Sequence, residues 1–185
     1  MLVTDGAVLL GYGVLSLLFV PAHAVSQVAS GLQGSSSCRR FVQEFYDWYA
    51  PFFREPLQVN GRVSDLAIKR KAALFNPDLV RALKADSEAQ VHSTDLVSLD
   101  SNPFAGPDPA DHYEARHVTW QARRCLVEVW RASPGDTAAK SSKPEVVAQV
   151  ALVRGHWEFQ NFRYPDSGGD LVSALAELRE KRRKH

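Results

Sequence analysis

Residues 113–131 read YEARHVTWQARRCLVEVWR, and the alternation inside them decides the fold class. Val118 and Trp120 alternate with His117, Thr119 and Gln121, the period-two pattern of a half-buried strand. Cys125, Val127 and Val129 then alternate on the opposite parity, so a bulge or break is expected near Arg123 and Arg124. Downstream, EVVAQVALV (residues 145–153) is apolar on both parities, as in a strand covered on both faces for part of its length. Arg154, Gly155 and His156 read as a Gly-X hairpin turn into WEFQNFRY, residues 157–164. DLVSALAELREKRRKH ends the sequence as a helix with Leu171, Leu175 and Leu178 on one side, and its basic end reads as a solvated tail.

Upstream of the strands the period changes to that of a helix. In CRRFVQEFYDWYAPFF (residues 38–53) the apolar residues fall within an arc of about 160°, while Arg39, Arg40, Gln43, Glu44 and Asp47 fill the rest. Ser37 is placed to cap this helix. Pro51 should end or bend it, because the proline ring disfavours the helical conformation at Ala50. A second helix is expected from about Asp65 to Phe75. A third restarts at Asn76, with Pro77 in its first position and Asp78 at its positive end. The expectation is α+β: N-terminal helices packed on a curved antiparallel sheet of about four strands, with a closing C-terminal helix.

The N-terminal segment carries an address. Residues 7–20, AVLLGYGVLSLLFV, form an apolar run of 14 residues, followed by Pro21 and by Ala22-His23-Ala24, a small-x-small cleavage pattern. That length suits a signal-peptide core and falls short of the ~20 residues a spanning helix needs. The n-region MLVTDG departs from the usual pattern in carrying Asp5 and no Lys or Arg. Residues 1–24 are therefore read as a signal peptide, residues 25–37 as a flexible leader, and residues 38–185 as a single domain. The expected location is exported, periplasmic or secreted, with no membrane span after signal removal.

Three stretches together resemble a known family: FVQEFYDWYAP (41–51), LDSNPFAGPDPADHY (99–113) and GHWEFQNFRYP (155–165). They are similar to the domain of unknown function 3828 family, a group of mostly exported bacterial proteins, over roughly Phe41 to Leu178. The resemblance implies a cone-shaped, nuclear-transport-factor-2-like fold and no settled activity. The family loop usually reads Asp-x-Asp-Pro-Phe. Here it is Asp100-Ser101-Asn102-Pro103-Phe104, so a role needing two carboxylates at that point lacks one of them.

Composition removes several functions. The net charge of +1 supplies no overall field to draw in nucleic acid, and two cysteines cannot form a four-cysteine zinc site. No G-x-S-x-G, Gly-rich phosphate loop or His-Glu-x-x-His is present. Asp47 lies opposite the aromatics on its helix, facing water near Arg39, Gln43 or Arg54, so it is not an acid in an aromatic cage. The loop 93–112 holds Asp95, Asp100, Asn102, Asp108 and Asp111 without the spacing of an EF-hand, so neither metal nor cofactor is expected. Phe104 should pin that loop to the core. Cys38 and Cys125 both point inward, either as a disulfide or as two buried apolar residues.

The preferred function is an exported, non-enzymatic binding module for a small apolar ligand or a protein partner. Tyr46, Tyr49, Trp120 and Trp157 are the candidates to line its pocket. One alternative is an isomerase or dehydratase with a pocket inside the cone. Another is an inhibitor or immunity-type protein that docks by the 93–112 loop, with Asp100, Asn102, Phe104, Asp111 and His112 as contacts.

Overall fold

A computed structural model describes residues 23–53, 62–92, 99, 101–107, 110–132 and 142–184, with side chains from Gly34 onward. The order is helix α1 (His23–Tyr49), α2 (Val63–Lys71), α3 (Pro77–His92), strands β1 (Tyr113–Gln121), β2 (Arg124–Arg131), β3 (Val146–Val153) and β4 (His156–Arg163), then α4 (Leu171–Lys184). The strands form one antiparallel sheet in the order β1-β2-β3-β4. The class is α+β, as the alternation and the helical arcs imply.

The strand and helix signals have structural counterparts, with adjustments, while residues 1–22 of the expected signal peptide lie outside the described residues. The parity change after Trp120 comes from a two-residue hairpin turn at Ala122 and Arg123, both with positive φ (51° and 31°). The register shift in β1 lies earlier, between Ala115 and Val118. The second hairpin holds Arg154 and Gly155 at positive φ (50° and 85°), so glycine takes the second central position rather than the expected first. Both turns thus show the positive φ that type I′ hairpins require at their two central residues.

α1 starts at His23 and therefore takes in the 25–37 stretch that reads as a flexible leader. The reason is continuity. No proline lies between His23 and Tyr49, and the small residues there, Gly31 and Gly34 included, are tolerated where packing supports a helix. Ser37 consequently sits inside the helix, donating to the Gly34 carbonyl at 3.0 Å instead of capping it. α1 gives way to a short 3-10 turn over Ala50–Phe53, where Pro51 was expected to stop it. The second helix begins at Val63 and converts at Ala72–Leu74 to a 3-10 turn. At the third, Asn76 Oδ1 accepts from the Asp78 N–H at 2.8 Å, the cap read from the sequence.

α1 lies across β1 and β2, and Cys38 is joined to Cys125 by a disulfide with a Cα separation of 6.6 Å. The core is formed by one face of the sheet (Cys125, Val127 and Val129 of β2; Val146, Ala148 and Val150 of β3) against the helices. Neither sheet edge is left bare. Along β1 the Gln43 side chain donates to the Tyr113 carbonyl at 2.9 Å and accepts from the Ala115 N–H at 2.8 Å. Along β4 the Asn76 N–H donates to the Phe159 carbonyl at 2.8 Å.

Candidate functional site

The four aromatic residues expected to border one pocket separate into two pairs. Tyr46 and Tyr49 project from α1 into the core and are 1% and 0% exposed. Phe45 stacks on Tyr49 with ring centroids 5.2 Å apart, Tyr113 lies 5.1 Å from Tyr46, and Phe104 meets Tyr49 edge-on at 5.7 Å. These tyrosines fill the interior instead of lining a space in it. Their hydroxyls serve the fold. Tyr46 donates to the Phe104 carbonyl at 2.5 Å, and Tyr49 and the Asn102 side chain hydrogen-bond at 2.8–3.1 Å. Burial raises the pKa of both, so both remain neutral donors at physiological pH.

Trp120 and Trp157 lie at the opposite end of the sheet, with ring centroids 6.0 Å apart. Trp120 is 44% exposed, and its indole N–H donates to Ser35 Oγ at 2.8 Å. α1 passes so closely here that a Cβ on Gly34 would sit 3.0 Å from the Trp120 ring, so any larger residue at this crossing would have to displace the ring.

The loop before β1 is built inward. Phe104 is fully buried, as expected, and contacts Phe162 at 4.9 Å. Asn102 Oδ1 accepts from the Phe104 N–H at 2.9 Å, folding the loop into a local turn. Tyr164 donates to the Pro103 carbonyl at 3.1 Å, and the Ala110 N–H donates to Tyr113 Oη at 2.7 Å. Burial pushes the Tyr113 phenol up to about 12. Asn102 and Phe104 are thus committed to the core, while Asp111 and His112 are exposed. Asp95, Asp100 and Asp108 lie outside the described residues. Among the described residues no three His, Cys, Asp or Glu side chains are grouped to hold a metal.

Asp47 is exposed and accepts from Gln43 at 2.8 Å, in line with its place on the polar arc. Asp86, by contrast, carries no obvious signal in the sequence and is 3% exposed. Arg182 of α4 donates to it at 2.6 Å, Arg62 lies 3.6 Å away, and Gln90 donates to it at 2.9 Å. The C-terminal basic stretch is therefore not wholly a solvated tail, because Arg182 clamps α4 to α3. A buried carboxylate needs such partners, and its position on the inner side of α3, three residues past Leu83, was the one available hint.

Two surface depressions flank α2. A charged trough of about 430 Å³ lies between α2 and α3, with Ile68 and Leu83 in its floor and Asp65, Lys69, Lys84 and Glu88 along its walls. An aromatic crevice of about 170 Å³ lies between α1 and the end of α2, formed by Phe41, Phe45, Trp48 and Leu74 with Glu44 and Lys71 at its rim. The Lys71 ammonium sits 5.2 Å above the Trp48 ring, and the Arg70 guanidinium 5.7 Å from the Phe52 ring.

No family model, no curated protein and no solved structure matches the chain.

Proposed function

We propose that the chain is an exported, non-enzymatic binding module that holds a protein partner by one apolar side chain in the Phe41–Trp48 crevice. The observation that carries this reading is a contrast of volumes. The interior is filled by rings, while the aromatic crevice on the surface measures about 170 Å³. A cavity of about 150 Å³ with apolar walls accepts a benzene-sized group, whereas sites for whole small molecules run to roughly 300–1,000 Å³ with mostly apolar walls, which the charged 430 Å³ trough lacks. One buried anchor residue from a partner fits that size, and the charged rim of Glu44 and Lys71 fits the polar surround such anchors have.

Two further features support the address and the fold relationship within this proposal. A disulfide between Cys38 and Cys125 suits an oxidising compartment, as does the apolar run of residues 7–20. The order of helices, four antiparallel strands and a final helix suits a nuclear-transport-factor-2-like relationship and membership of the domain of unknown function 3828 family.

The test is a capture experiment in extracts of the native compartment, comparing the wild-type chain with Leu74→Glu, which places a charge in the apolar wall of the crevice. A partner retained stoichiometrically by the wild type and lost at least tenfold in the variant supports the proposal. A partner held equally by both, or a small molecule retained in native mass spectrometry, overturns it.

A further inference from the structure

The end of the sheet that carries its two hairpin turns combines apolar, cationic and strained features that the core does not use. Trp120 pairs with Cys125, which pairs with Val150, which pairs with Phe159, so these four side chains share the helix-facing side of the sheet. Leu152, two residues beyond Val150, pairs with Trp157, two residues before Phe159. Trp120, Leu152 and Trp157 therefore continue the core face to the hairpin end, where Trp120 and Leu152 are 44% and 57% exposed.

The charge around this apolar edge is predominantly positive. Arg123 and Arg124 stand at the first hairpin, Arg154 and His156 at the second, and Glu158 is the acid nearest in sequence to either turn. With histidine neutral, three arginines less one glutamate leave +2 on these residues. Arg124 is directed across the sheet to Gln149, whose side-chain carbonyl, turned toward it, accepts from Nε at 3.1 Å and from a terminal nitrogen at 2.6 Å.

The backbone adds an independent observation. Every non-glycine residue with positive φ among the described residues belongs to these two tips: Ala122, Arg123 and Arg154. Glycine or asparagine would relax such turns, and strain of this kind clusters at ligand clamps and other functional sites. Both hairpins thus hold an arginine at a left-handed position. α1 also begins beyond this end, since Gly34 and Ser35 sit at Trp120.

We propose that the hairpin end is a docking surface for an anionic lipid bilayer, with Trp120, Leu152 and Trp157 in the interfacial layer and Arg123 and Arg154 against the headgroups. Tryptophan concentrates at membrane interfaces, and arginine near an anionic surface is drawn to it. The surface lies apart from the Phe41–Trp48 crevice and does not depend on the reading of that crevice.

The test mixes the full chain with vesicles of phosphatidylcholine, with or without phosphatidylglycerol, and follows quenching of tryptophan by brominated lipid. The quenching that disappears in the Trp120→Phe/Trp157→Phe variant reports contact by this end of the sheet. That component should be present with anionic vesicles and weak with neutral ones. Arg123→Gln/Arg154→Gln should lower affinity for anionic vesicles roughly 25-fold, about fivefold for each arginine. Arg123→Gly should weaken it about fivefold while leaving the melting temperature unchanged or raised, because glycine relaxes the turn. Quenching of equal size with neutral vesicles, affinity insensitive to the arginines, or no quenching attributable to Trp120 and Trp157 would each overturn the proposal. So would a concentration-dependent dimer dissolved by Leu152→Lys, which would assign the surface to a second copy of the chain.

Discussion

The two ends of the sheet spend the same kinds of residue in opposite ways. At the loop end, Tyr46, Tyr49, Phe104 and Tyr164 turn inward, and each hydroxyl finds a partner. At the hairpin end, Trp120 and Trp157 sit at the margin of the core beside an exposed Leu152 and two arginines in left-handed turns. Aromatic content therefore says little about where a protein meets its partners. What separates the ends is how deeply the rings are buried and whether non-glycine backbone is held at positive φ.

The sharpest way to break this contrast is to truncate one buried and one exposed apolar side chain. Phe104→Ala should cost about 3–5 kcal/mol, because it leaves a cavity among rings that have little room to close in. Leu152→Ala should change stability by less than about 0.5 kcal/mol, as surface substitutions usually do. Urea titration checks both, and similar costs at the two positions would erase the distinction between the ends.

Next in size is the disulfide, which crosses between α1 and β2 over a separation of 87 residues. Replacing Cys38 and Cys125 by alanine should cost about 2–4 kcal/mol, chiefly by releasing the unfolded chain. Denaturant unfolding with and without reductant tests this, and a reductant-insensitive wild type would show that the bridge contributes little.

The smallest effect concerns Asp170, the cap of α4, which accepts from the Ser173 N–H at 3.1 Å and from Asn161 at 2.7 Å. Burial pushes its pKa up, but the hydrogen bonds from Asn161, Ser173 and Val172 outweigh burial and hold it below the usual carboxylate value. The folded pKa is thus depressed, so its contribution is complete above the unfolded value of about 3.9 and fades as pH falls through the folded one. Asp170→Ala should cost about 1 kcal/mol at neutral pH and progressively less in acid. A difference from wild type that does not shrink on acidification would remove Asp170 as the source of that pH dependence.

Periodicity made the architecture legible. The alternation through Val118–Val129 and the helical arc through Phe41–Tyr49 each depend on neighbours a few residues apart, which the sequence displays directly. The inward direction of Cys38 and Cys125 was legible for the same reason, and their pairing was not, because it depends on how α1 crosses β2. The extent of α1 was hidden by composition, since small polar residues before Cys38 resemble a linker. The pocket candidates divided by burial, Tyr46 and Tyr49 inside and Trp120 partly exposed. Tyr46 and Trp120 look alike in sequence, but one meets Tyr113 and the other the end of a strand, a difference set by contacts distant in the chain. Asp86 was missed because its partners Arg62 and Arg182 are 24 and 96 residues away.

The Gln43 amide has a role in keeping the chain to itself. An edge strand offers a ladder of unpaired N–H and C=O groups on which another chain can grow. By donating to Tyr113 and accepting from Ala115, the Gln43 side chain occupies two rungs of that ladder, as one residue of a fifth strand would. Asn76 occupies one rung of β4 through its backbone N–H. Resistance to strand-by-strand aggregation is thus assigned to helical and turn residues outside the sheet, so a helix that loosens exposes a template for polymerisation as well as a core.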